Sequence, residues 1–201
     1  MKKFVTFDME GDSLSRDVNQ RLFPEPPHYD PETRIWCATM YNGTRTMTYV
    51  CKLPAEPRTL PDGTRTKAVH YEYAAIPWQV DGHHVTGFET YTGLLSNLYC
   101  ALNWAYQSGI TVYFRGYGMY DYDYDTLKRI FQEREIPTDV LECMVNFNKV
   151  HTGYVWANTA AQVSTGRFVN NQQYMINGIR HNIQDSIQLY NIIRDYYAAR
   201  N

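Results

Sequence analysis

The chain has 201 residues, 44% hydrophobic and 20% charged, a composition that suits one globular domain with a buried core and argues against an intrinsically disordered protein. Nineteen basic against twenty-one acidic residues give a net charge of −2, so no global positive field draws in nucleic acid, and any such binding has to be local and cation-assisted. No apolar run approaches the roughly eighteen residues of a membrane span, and Cys37, Cys51, Cys100 and Cys143 lack metal-ligand spacing, which reads as reduced thiols in a cytoplasmic protein without a secretory signal.

The first predicted strand runs from Lys3 to Met9. A polar stretch from Ser15 to Glu32 follows, with Pro24, Pro26, Pro27 and Pro31, and reads as an irregular excursion at about 15–32. A second strand at Ile35 to Tyr41 and a third at Thr46 to Leu53, joined through Asn42-Gly43, complete an antiparallel meander. Residues 54–90 are punctuated by Pro54, Pro57, Pro61, Asp62-Gly63, Pro77 and Asp81-Gly82 around short β-like runs such as Ala68 to Tyr73, and read as a second irregular insertion, a candidate surface for a protein partner. From Tyr91 to Gln107, Leu94, Leu95, Leu98, Leu102 and Trp104 to Ala105 recur at helical spacing, with Gly109 as the stop. A strand at Ile110 to Phe114 follows that helix, and the crossover implies a parallel pair in a mixed sheet. The Tyr/Asp run after Gly118 opens a helix through Glu135, Met144 to Phe147 reads as a fifth strand, and a helix from about His181 to Ala198 closes the sequence.

Three segments carry chemistry. Phe4 to Phe7 is apolar and delivers Asp8 and Glu10 to one face, because residues i and i+2 of a strand point the same way. Two same-facing acids at the end of a buried strand are costly unless a cation neutralises them. In the closing helix His181 and Asp185 stand at i, i+4 and share a face, so an imidazole able to take a proton from water lies beside a carboxylate able to hold a cation. The run Tyr120-Asp121-Tyr122-Asp123-Tyr124-Asp125 places acids at a helix N-terminus, where capping accounts for one of them. Eighteen tyrosines supply core area for the most part, with Tyr117, Tyr120 and Tyr122 as candidates for stacking on bases. His83-His84 could bind a metal from their loop, but adjacent positions of an extended chain point apart and rarely chelate together, and Cys37 reads as core.

Together these segments resemble the DEDD (DnaQ-like) 3′-to-5′ exonucleases, above all the proofreading domains of family A DNA polymerases and stand-alone phage exonucleases. Phe7-Asp8-Met9-Glu10-Gly11-Asp12-Ser13-Leu14 resembles the first motif, Arg115 to Leu127 the second, and His181-Asn182-Ile183-Gln184-Asp185 the third. The Asn that the family carries in its second motif has no counterpart among Arg115, Gly116 and Gly118. Two acids compete for that motif's ligand. Counting from Asp123, the helix-anchoring positions are Thr126, Leu127, Ile130 and Phe131; counting forward from the strand favours Asp121.

The resemblance implies an α/β, ribonuclease H-like fold, a mixed sheet of meander plus parallel strands flanked by helices, in a single domain over residues 1–201. It implies two divalent cations, Mg²⁺ or Mn²⁺, held by Asp8, Glu10, Asp123 and Asp185, with His181 either as general base or as the group that orients the attacking water. Gly11 and Leu14 are then the substrate-binding positions, the backbone near the 3′-hydroxyl and the leucine against the terminal base. The implied substrate is a single-stranded or frayed 3′ end of DNA or RNA, released as nucleoside 5′-monophosphates, in a bacterial or phage-infected cell. The competing readings are a catalytically silent nucleic-acid-binding or protein-interaction module and a ribonuclease H-like endonuclease.

Overall fold

The structure is a computed structural model and describes residues 3–12, 21–24, 30–53, 59–65, 74–116, 121–150 and 171–200. In chain order the strands are β1 (Phe4–Gly11), β2 (Ile35–Tyr41), β3 (Thr46–Cys51), β4 (Gln79–Val80), β5 (His83–Phe88), β6 (Thr111–Phe114) and β7 (Met144–Asn146). Among the described residues the principal helices are α1 (Tyr91–Gln107), α2 (Tyr122–Glu133), the single turn α3 (Phe147–Val150) and α4 (Asn171–Ala198), with a 3-10 helix at Asp139–Cys143. The strands form one seven-stranded sheet in the order β4-β5-β3-β2-β1-β6-β7. The β1–β2, β2–β3 and β4–β5 pairs are antiparallel, whereas β1–β6, β6–β7 and β3–β5 are parallel. The chain is therefore α/β with a mixed sheet flanked by helices.

β1 reads as a near-continuous apolar run because it is buried on both faces. Val5, Phe7 and Met9 enter a core with Leu95, Leu98 and Leu102 of α1 and Leu127, Ile130 and Phe131 of α2. The opposite face meets α4 in reverse order. Phe4 packs with Leu189 and Ile193 and stacks on Tyr190, and Thr6 Oγ1 donates to Ser186 O at 2.7 Å. Asp8 and Glu10 follow on that face.

The elements end where local chemistry stops them. Thr90 caps α1 by accepting from Gly93 N at 3.1 Å, and Gly109 closes it at φ +63°. On α1 the buried stripe is Leu94, Leu95, Leu98, Ala101, Leu102 and Ala105, while the expected core residue Trp104 is 48% exposed. Helix α2 ends at Glu133, and Asp123, Thr126, Leu127, Ile130 and Phe131 form its buried side.

Three expectations need correction. The segment 54–90 is not wholly irregular, because β4 and β5 join the sheet beside β3, turned by Asp81 and Gly82 at φ +49° and +82°. Such short strands flanked by turn residues carry little periodicity of their own. The run Ala68 to Tyr73 lies outside the described residues, as does most of 15–32. The closing helix starts at Asn171 rather than about His181, because Met175, Gly178 and Ile179 continue the buried stripe of Asn182, Ile183 and Ser186 beneath an Asn/Gln-rich outer face. A Cβ on Gly178 would lie 2.6 Å from Trp36 Cη2, so its bare backbone lets α4 close on β2. The expected fifth strand stops at Asn146, and Phe147 opens α3. No described helix is long and apolar enough to cross a membrane.

Candidate metal centre

The site forms where the acidic end of β1 runs under α4. Asn182 Nδ2 donates to Asp8 Oδ2 at 2.8 Å, and His181 Nδ1 lies 2.9 Å from Glu10 Oε1. One turn on, Asp185 Oδ2 sits 3.7 Å from His181 Nε2, as the i, i+4 spacing requires. The same oxygen accepts from Arg115 Nη2 at 2.9 Å, a side chain delivered by the residue after β6. Asp123 comes from the first turn of α2, buried, with the charges of Glu10 and Asp185 acting on it.

The ligand atoms of half-buried Asp8, Glu10 and His181 all lie within 4.8 Å of one another, so this trio can hold a metal ion. Two carboxylates and an imidazole are a donor set that divalent cations accept. Asp123 and Asp185 adjoin the trio without belonging to it.

Burial raises the Asp8 carboxyl well above the ordinary carboxylate range, with further upward pushes from Asp123, Asp185 and Glu10, against which Arg115 pulls down. Burial, then Glu10, pushes Asp123 up to about 8. The hydrogen bond to Glu10 raises His181 above its usual value, aided by the charges of Glu10 and Asp185. In each case the neighbouring carboxylate charges push the same way as the leading cause, the mark of a site short of positive charge. Two buried carboxylate oxygens, Asp123 Oδ2 and Asp185 Oδ1, accept no hydrogen bond, which is a cost unless a cation meets them.

The competing acid, Asp121, is engaged elsewhere. It stands at the N-cap position of α2 without capping it; Oδ1 accepts from Asn146 Nδ2 at 2.8 Å and Oδ2 pairs with Lys149. With Phe114, Tyr124, Leu141 and Met144 it lines an open cavity of about 380 Å³. Gly11 ends β1 at a register shift against β2, and the next residue, Asp12, is clamped by Arg34 through its backbone N–H at 2.6 Å and its Nε at 2.9 Å. Leu14, Tyr117 and Tyr120 lie outside the described residues. His83 Nδ1 meets Thr46 Oγ1 at 3.2 Å, apart from its neighbour His84.

Two further contributors stand within the motif segments at positions to which the motifs assign no role. Arg115 is one; the other is Asn182, fully buried, whose Oδ1 accepts from Cys37 Sγ at 3.6 Å while its amide holds Asp8. The signal for Asn182 was its place on the apolar stripe between Ile179 and Ser186, where an unpartnered amide would be costly. No protein-family model matches this chain, and no curated protein matches it.

Proposed function

We propose that this chain is a metal-dependent 3′-to-5′ exonuclease of the DEDD type, on a ribonuclease H-like fold, that hydrolyses terminal phosphodiesters of DNA or RNA. The observation that carries the reading is the meeting of Asp8, Glu10, Asp123, Asp185 and His181 from three elements, with two buried carboxylate oxygens left without partners. Those oxygens and the raised carboxyls fit a site built for cations. Asp8, Glu10, Asp123 and Asp185 would hold two divalent cations, Mg²⁺ or Mn²⁺. When bound, such cations offset the charge that builds on an attacking water and on a leaving 3′-oxygen.

The protein's own groups supply the rest. Glu10 accepts from Nδ1–H of His181, which leaves Nε2 as the basic nitrogen for a water proton. The water oxygen bonds to phosphorus, the P–O3′ bond breaks, and the departing 3′-oxygen takes a proton, which releases a nucleoside 5′-monophosphate. Asn182 keeps Asp8 in one rotamer, and Asp12 with Arg34 holds the backbone after Gly11, where the substrate's 3′ end would lie.

The test is end-labelled single-stranded DNA and RNA with Mg²⁺, Mn²⁺ or EDTA. Stepwise, metal-dependent shortening from the 3′ end is the expected result. Internal cuts mean an endonuclease, and intact substrate under every metal means a silent binding module. Asp123→Asn should abolish shortening whereas Asp121→Asn should not; the reverse outcome transfers the ligand role to Asp121.

A further inference from the structure

The unpartnered buried atoms of the site do not call for one kind of ligand. Asp123 Oδ2 and Asp185 Oδ1 are acceptors that a cation satisfies, but Arg115 Nη1 is also buried without a partner, and it is a cationic donor that only an acceptor satisfies. A metal ion alone would leave that nitrogen bare. An oxyanion alone would meet the carboxylates of Asp8, Glu10, Asp123 and Asp185. The ligand class that satisfies both is an oxyanion arriving together with a divalent cation.

Three features make Arg115 the recognition element. Its charge acts on Asp8, Asp123 and His181 as well as pairing with Asp185, so the guanidinium lies within the acidic site rather than at its margin. The backbone just after it is pinned, because Gly116 N donates to Asn146 Oδ1 at 3.0 Å and Asn148 Nδ2 donates to Gly116 O at 2.7 Å. The arginine thus reaches the site from a fixed base. Finally, a planar guanidinium presents separate nitrogens to separate acceptors, which an ammonium cannot do with the same geometry. Were Arg115 there only to neutralise Asp185, the burial of Nη1 would be an uncompensated cost.

Resting on the reading of this site as a metal centre, we infer that Arg115 is a phosphate-binding residue: Nη2 stays on Asp185 while Nη1 donates to a non-bridging oxygen of the phosphate, so that metal and phosphate bind cooperatively through this one side chain.

The experiment is calorimetric titration of Mn²⁺ into the full chain, alone, with thymidine 5′-monophosphate and with thymidine. In the native protein the nucleotide should tighten Mn²⁺ binding at least about tenfold, a typical coupling between two sites, and thymidine should not. Arg115→Lys keeps a cation beside Asp185 and therefore the fold. It should lose most of the coupling, read as the ratio of Mn²⁺ affinities with and without nucleotide in that same variant. Arg115→Gln should lose it entirely. Full coupling retained in Arg115→Lys and Arg115→Gln, or Mn²⁺ binding without coupling in the native protein, overturns the inference and leaves the metal centre standing. Absence of any Mn²⁺ binding sensitive to Asp8→Asn overturns the metal centre and this inference with it.

Discussion

The two ends of β1 face the same helix and are built to opposite standards. At the beginning of the strand, Phe4 stacks on Tyr190 at a 4.6 Å centroid distance and Thr6 gives its hydroxyl proton to Ser186, so area is buried and the hydroxyl is satisfied. At its end, Asp8 and Glu10 crowd with Asp123 and Asp185, and buried oxygens go without partners. The first arrangement lowers the free energy of the fold, and the second raises it. β1 thus divides stabilising contacts from costly ones along a single element, with α4 as the common partner.

Predictions that break this contrast follow from the strongest to the weakest. Asp8→Asn should reduce the proposed exonuclease activity on the order of 10⁴-fold, the scale of losing a catalytic carboxylate, while raising the melting temperature of the metal-free protein; calorimetry and a gel assay on one preparation test both halves. At the other end, Phe4→Ala should cost about 3 kcal/mol in urea unfolding through lost packing, and the remaining folded protein should bind Mn²⁺ with native affinity. A variant that loses metal affinity along with stability would show that the two ends are not separable.

The acidic end also predicts a pH dependence. Asp123 is raised to about 8 in the folded state, so between the ordinary carboxylate range and about 8 the native protein holds a proton that the unfolded chain has released, and the raised Asp8 acts in the same direction. Stability of the metal-free protein is therefore greatest at the low end of that window and falls as pH rises through it. The raised His181 adds to this fall in the part of the window above the ordinary histidine value, since it too holds its proton longer when folded. Each extra proton contributes a slope of up to about 1.4 kcal/mol per pH unit. Asp123→Asn should flatten the fall, and Mn²⁺ should stabilise more at pH 8 than at pH 5; denaturant melts at several pH values decide it.

Smaller effects should come from supporting groups. Asn182→Ser removes the amide on Asp8 and should weaken Mn²⁺ binding about tenfold, as losses behind a metal ligand generally do. Asp121→Asn breaks a partly exposed pair with Lys149 and should shift stability by less than about 1 kcal/mol.

What was legible follows from which signals are local. The same-facing pair Asp8 and Glu10, the leucine stripe of α1 and the meander of β1 to β3 rest on periods of two or 3.6 residues, so a linear reading finds them. The helix-anchoring pattern Thr126, Leu127, Ile130 and Phe131 likewise put Asp123 on the buried side of α2 and left Asp121 outside it. The pairing of Arg115 with Asp185 spans 70 residues and depends on the fixed direction of one long side chain, which no window contains. The parallel attachment of β5 to β3 was hidden for a related reason, since a short strand gains its place from its neighbour rather than from its own pattern. Helix α4 began earlier than expected because its polar residues are those of a solvent face, and composition alone made them look like loop.

The bond between His181 and Glu10 joins residues 171 positions apart. While the chain is being synthesised, the acids of β1 leave the ribosome early and wait without their histidine until α4 has emerged and docked. A nascent chain therefore holds an incomplete candidate metal centre, and a cation meets Asp8, Glu10 and His181 together only once α4 has docked on β1.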